Sequence, residues 1–214
     1  MTYSICLTSV DRPYRHHTFQ RLVETGTLEH PLVRGFHIAY NRLPNQNTDH
    51  VFRQALMDET DWILFLEDDI EIADDFLGSA DRWLTDYARP TTHLYPMGCG
   101  VRRAYLKARD AGARAWEWPL KEFFGATALM LRPSFVRGFC DLYASPERPD
   151  WFVDPTGLDE NLKQYHLRCE PTAMLRTPIP CLMDHRGAVS SQTTAEPHWT
   201  GEYPGWIGPH ATYP

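Results

Sequence analysis

The chain has 214 residues, enough to bury a real core in one domain of ordinary size. No apolar run approaches the ~20 residues that a membrane-spanning helix needs, and five widely spaced cysteines without a CxxC pair argue against a disulfide framework. The net charge is −7, but of the 28 acids seven lie between Glu67 and Asp81 with no base among them, and the remaining 21 match the 21 Lys and Arg. The acidity therefore belongs to one segment, and it leaves room for a polyanionic partner elsewhere on the surface. A strand-like segment directly after Met1 leaves no secretory signal, so the expected setting is reduced and cytoplasmic, with mostly buried thiols.

Residues 3–8 read as a first strand that runs into Thr8-Ser9-Val10-Asp11-Arg12-Pro13, a polar loop broken by proline. A short helix follows, with Phe19, Leu22 and Val23 on one face and Gly26 to stop it. A small-residue loop with an arginine after the first strand is where a doubly wound fold holds a nucleotide. It reads equally as a plain turn with a solvated Arg12. Residues 35–40 form a second strand that ends in Asn41 and Arg42. Residues 45–49 are a polar turn able to cap a helix that carries Val51, Phe52, Ala55 and Leu56 on one face.

The next stretch is the most informative. Trp62-Ile63-Leu64-Phe65-Leu66 is a short apolar run, as in a strand buried on both faces, and it ends abruptly in Glu67, Asp68 and Asp69. Three adjacent carboxylates repel one another and are costly to bury without positive charge among them. A divalent cation is the simplest compensation; an acidic turn in solvent is the alternative. The order strand, helix, strand, helix, strand implies an α/β fold with a mostly parallel sheet flanked by helices. In such sheets ligands bind beyond the carboxyl ends of the strands, where these acids lie.

Beyond the acids, Asp74 and Asp75 suit a helix start, and Phe76, Leu77, Ala80, Trp83, Leu84 and Tyr87 make an apolar stripe that reads as core. Residues 92–97 form another strand. Residues 101–114 carry Arg102, Arg103, Lys107, Arg109 and Arg114 against one acid, a solvated helix face or a phosphate-facing cluster. Residues 116–119 read as an aromatic turn. Residues 123–131 read as a strand whose small residues, Gly125 and Ala126, let a backbone approach a ligand. Arg132-Pro133-Ser134 turns into a helix carrying Phe135, Val136, Phe139 and Cys140. Leu158, Leu162 and Tyr165 mark a further helix with Asp159 and Glu160 in its first turn, where the helix dipole alone would stabilise them. A last strand ends in His185, followed by Gly187, Ser190 and Ser191, and an aromatic, Pro- and Gly-rich tail closes the chain.

Leu64-Phe65-Leu66-Glu67-Asp68-Asp69-Ile70 resembles the metal-binding acidic segment ("DXD" type) of GT-A glycosyltransferases, which use nucleotide-sugar donors. The loop Thr8-Ser9-Val10-Asp11-Arg12-Pro13, the strand around Gly125 and Ala126, and the stretch His185 to Ser191 resemble other GT-A segments in the expected order, the last including the N-acetylglucosaminyltransferase-IV-like group. The resemblance implies a single Rossmann-like GT-A domain over residues 1–192, with residues 193–214 as a tail packed on it. It implies Mn²⁺ or Mg²⁺ held by Asp69 and His185, histidine favouring Mn²⁺. It implies donor contacts from Thr8, Ser9, Arg12, Asn41, Glu67, Asp68, Gly125 and Ala126. Asp159 is then the general base of an inverting transfer from a UDP-sugar, with Glu160 as its stand-in. Trp199 and Trp206 are candidates for an acceptor platform, and the acceptor is left open among a glycan, a protein, a small molecule and a modified DNA base. The compact length and missing membrane anchor resemble bacterial or phage enzymes. The alternatives are a binding module without catalysis and a hydrolase using a carboxylate pair.

Overall fold

The computed structural model describes residues 1–9, 17–40, 44–89, 92–97, 103–123, 127–153, 157–185 and 209–213. The chain begins with β1 (Tyr3–Ser9), α1 (His17–Glu24), β2 (Val33–Tyr40), α2 (Pro44–Ala55), β3 (Trp62–Glu67), β4 (Ile70–Ile72), α3 (Phe76–Tyr87) and β5 (Leu94–Pro96). It continues through α4 (Arg103–Asp110), β6 (Ala115–Pro119), β7 (Ala128–Leu131), α5 (Pro133–Ala144), α6 (Leu158–Cys169), β8 (Met174–Pro178) and β9 (Met183–His185).

The central sheet has the order β2-β1-β3-β7-β5. Strands β1, β2 and β3 are parallel, β7 runs against them, and β5 pairs antiparallel with β7. Four of the five strands therefore point one way, the α/β architecture expected from the sequence. Side chains alternate between two buried faces. Tyr3, Ile5, Leu7, Trp62, Leu64 and Leu66 pack under α3 and β4. Cys6, Ile63, Phe65, Leu129 and Leu131 pack against residues of α2, α5 and α6. Both faces are dry, which explains why the run from Trp62 to Leu66 shows no polar alternation.

Two small antiparallel pairs complete the domain, β4 with β9 and β6 with β8. The apolar stripe of α3 is core as read: Phe76, Leu77, Ala80, Trp83 and Leu84 are all buried. The same holds for Phe135, Val136, Phe139 and Cys140 on α5, where Pro133 occupies the first turn and needs no hydrogen-bonded N–H. Of the described cysteines, Cys6, Cys140 and Cys181 are buried and Cys169 is exposed.

Four local expectations need correction. Residues 116–119 are not a turn but most of β6, with Trp116 and Trp118 stacked at 5.4 Å. Residues 45–49 are not a turn ahead of a helix; they lie inside α2. On α1 only Thr18 and Leu22 are buried, while Val23 is exposed and Phe19 lies over Phe36 at 5.9 Å. The strand expected over 123–131 starts only at Ala128, after a 3-10 turn at Leu120–Glu122.

The end of the chain returns to α3. The Asp74 N–H donates to the Pro209 carbonyl at 2.6 Å, Arg82 donates to the Tyr213 carbonyl, and Ala211 and Tyr213 are fully buried. No helix among the described residues is long and apolar enough to cross a membrane.

Candidate functional site

The carboxyl ends of β1 and β3 lie side by side because the strands are parallel, and the register sets Thr8 opposite Glu67. Ser9, the next residue, donates from Oγ to Asp68 Oδ2 at 2.7 Å. The amino end of β7 reaches the same edge, where the Glu67 N–H donates to the Thr127 carbonyl. Thr8, Ser9, Glu67 and Asp68 are thus brought together from segments almost sixty residues apart.

The acids form the turn between β3 and β4. Asp68 is 5% and Asp69 4% exposed. Strand β9 lies along β4 with His185 opposite Ile70 and Asp184 opposite Glu71, so the backbone of His185 runs beside the acidic turn. Asp184 and Glu71 are both buried, and like charges facing each other across a strand pair are unfavourable without compensation. At Glu71 the compensation comes from α1. Arg21 Nε lies 2.5 Å from Glu71 Oε1, and His17 Nε2 lies 2.5 Å from Glu71 Oε2.

Asp159 and Glu160 occupy the first turn of α6, as expected. Glu160 is engaged on its own helix, by Lys163 Nζ at 2.5 Å and Gln164 Nε2 at 2.7 Å. The Lys163 ammonium holds the Glu160 carboxyl below the usual carboxylate range, although burial pushes the other way. Asp159 is half-buried beside it.

A run of asparagines joins this helix start to the sheet edge. Asn161, fully buried, accepts from the Val153 N–H and donates to the Val153 carbonyl. Asn45 donates to that same carbonyl at 2.9 Å, and Asn47, on the same helix as Asn45, donates to the Ser9 carbonyl. The start of α6 is therefore tied through α2 to the end of β1, the strand end that carries Ser9.

Arg12, Asn41, Gly125, Ala126, Trp199 and Trp206 lie outside the described residues, as does the side chain of His185. Among the described residues no three His, Cys, Asp or Glu side chains form a metal-holding group. The reading from sequence singled out none of Thr18, Arg21, Asn45, Asn47 and Asn161 as site residues. Their only local signal was polar character in segments that had to pack, which any cap or turn also shows.

No protein-family model matches the sequence, and no curated protein does. Among solved structures, residues 1–349 of TarS from S. aureus superpose with a TM-score of 0.49 at 12% identity, over 83% of this chain and 58% of that one. A197 from STIV gives 0.49 at 11% identity, over 86% and 85%. A glycosyltransferase involved in the glycosylation of the major capsid of PBCV-1 gives 0.48 at 12% identity, over 87% and 94%. This chain thus spans little more than half of the TarS chain. At this level of likeness the residues of the site have to carry the function.

Proposed function

We propose that the protein is a metal-dependent glycosyltransferase that moves a sugar from a nucleotide-sugar donor, of the UDP type, to an acceptor hydroxyl with inversion. The observation that carries the reading is the acidic turn. Asp68 and Asp69 are almost fully buried at the carboxyl end of the central strand, where an α/β sheet receives its ligands.

A divalent cation suits this turn. The turn offers hard carboxylate oxygens, and Glu71, the next acid along, is paired with Arg21. Ions such as Mg²⁺ are commonly held by one or two carboxylates together with substrate phosphates. Asp69 and His185 are the assigned ligands, and Mn²⁺ or Mg²⁺ held there supplies positive charge to a leaving diphosphate. Ser9 fixes the orientation of Asp68, while Thr8, Arg12 and Asn41 belong to the donor side together with Glu67, Gly125 and Ala126. Asp159 takes the proton of the acceptor hydroxyl as its oxygen attacks the anomeric carbon. Glu160 is the weaker candidate, since Lys163 and Gln164 occupy its carboxylate.

Titration calorimetry with UDP in Mn²⁺ and then in EDTA tests the reading. Binding is expected in Mn²⁺, with a loss of at least tenfold in EDTA and in Asp69→Ala. Equal affinity in all three samples would sink it. Release of free UDP from a UDP-sugar under the same conditions separates an enzyme from a binding module.

A further inference from the structure

The acidic turn is braced by a side chain from another element. It spans four residues, 67–70, and in many turns of that length the N–H of the fourth residue bonds to the carbonyl of the first. Here a hydroxyl from another element sits between those two groups. Thr18 Oγ1 accepts from the Ile70 N–H at 3.0 Å and lies 2.7 Å from the Glu67 carbonyl, to which it donates. The Ile70 carbonyl is within reach at 3.1 Å, and the Thr18 N–H points at the Asp68 carbonyl at 3.4 Å. Thr18 is fully buried, so water cannot replace these bonds.

Its neighbours on α1 engage the rest of the segment. His17 and Arg21 hold Glu71, and Arg21 also donates to the Ile72 carbonyl. The first five residues of α1 thus touch the backbone or side chains of 67, 68, 70, 71 and 72.

We infer that Thr18 is a positioning residue: its hydroxyl sets the backbone of the acidic turn that carries Asp68 and Asp69, and so fixes how Asp69 is presented to a divalent cation. This rests on the functional reading above only in naming the cation. The geometry assigns separate parts to the three α1 residues. Thr18 shapes the turn, while Arg21, with His17 beside it, pairs with Glu71 and keeps it from competing as a ligand.

Two substitutions separate the hydroxyl from the methyl. Thr18→Val keeps the shape and loses the hydroxyl; Thr18→Ser keeps the hydroxyl and loses the methyl. Amide hydrogen exchange at Ile70 reads the turn directly, and calorimetry of Mn²⁺ in the presence of UDP reads its consequence. In Thr18→Val the Ile70 amide should exchange at least tenfold faster and Mn²⁺ affinity should fall about tenfold, as expected when buried hydrogen-bonding groups lose their partner. In Thr18→Ser both should stay within threefold of the parent. A Thr18→Ser that loses Mn²⁺ as Thr18→Val does would overturn the inference, because packing and not the hydroxyl would then be responsible. So would unchanged Mn²⁺ affinity in a Thr18→Val that exchanges fast. If Thr18→Val does not fold, Thr18→Ala takes its place with the same expectations. A parent protein that binds no Mn²⁺ with UDP would reject the metal reading, and Ile70 exchange would still decide whether Thr18 shapes the turn.

Discussion

Asp159 and Glu160 are consecutive carboxylates on one helical turn, and the bonds of Glu160 argue against it as the base. A general base has to be free to meet the acceptor proton and needs a pKa that is not depressed. Glu160 fails on both counts, being bound by Lys163 and Gln164 and held below the usual range. Asp159→Asn keeps the size and removes the proposed base. It should leave UDP affinity within about twofold and lower the transfer rate by about 10²–10⁴-fold. Glu160→Gln should cost the transfer rate less than about tenfold. The product anomer settles the mechanism separately: retention of the donor's configuration would discard it whatever the variants did. At this scale the sequence was informative about chemistry and poor about partners. A triple acid at the end of an apolar run marks a candidate site because its burial is costly. That Thr18 would bond to a turn some fifty residues away, or that Asn161 and Asn45 would share the Val153 carbonyl, is written in no spacing, since such bonds exist only once the elements have docked.

Among the elements, α1 buries only Thr18 and Leu22, yet its polar side chains engage the acidic segment. Besides Thr18 and His17, its hold on β4 runs through Arg21, which reaches Glu71, the Ile72 carbonyl and Asp74 ahead of α3. Both Arg21 and Glu71 are largely buried, and removing one member of such a pair leaves the other uncompensated, at about 3–5 kcal/mol. His17 still reaches Glu71, so Arg21→Met should destabilise by about 3 kcal/mol, the low end of that range, in urea unfolding. Glu71→Gln in that background should recover much of the loss, because the uncompensated charge is gone. Failure to recover would mean that Arg21 acts through packing. Elements of this kind are also where the sequence fell short. Helices α3, α5 and α6 were legible because a buried stripe repeats along each. Strand β4, with three residues, is too short for any period and forms against β9, the strand that the sequence does show ending in His185. Strand β6 looked like a turn because proline and two tryptophans conceal a pairing partner, β8, that lies far along the chain.

For the whole molecule, the two-sided core sets how stability responds to acid. His166 of α6 is fully buried between the sheet and α5, with Phe135 at 5.3 Å and His93 at 5.7 Å between ring centroids. Its Nδ1 has no hydrogen-bond partner among the described residues, and Glu170 reaches Nε2 at 3.3 Å. Burial therefore dominates and lowers its pKa to about 4, with Glu170 acting in the opposite direction and His93 reinforcing the fall. A histidine whose folded pKa lies below its unfolded one binds its proton first in the unfolded chain. The stability this neutral imidazole contributes is complete above pH ~6.5 and is lost as the pH falls from there to about 4. The full loss is on the order of 3 kcal/mol by the usual conversion of pKa to free energy. Carboxylates such as Asp61 and Asp74, whose pKa values are lowered, contribute in a different window, since their stability is present above the ordinary carboxylate range and fades only below it. His166→Phe replaces the imidazole with a ring that can stack on Phe135 and cannot be charged. Urea midpoints measured every half unit from pH 7 to 4 should fall steeply for the parent and be nearly flat for the variant. An equal slope in both proteins would assign the acid sensitivity to groups other than His166.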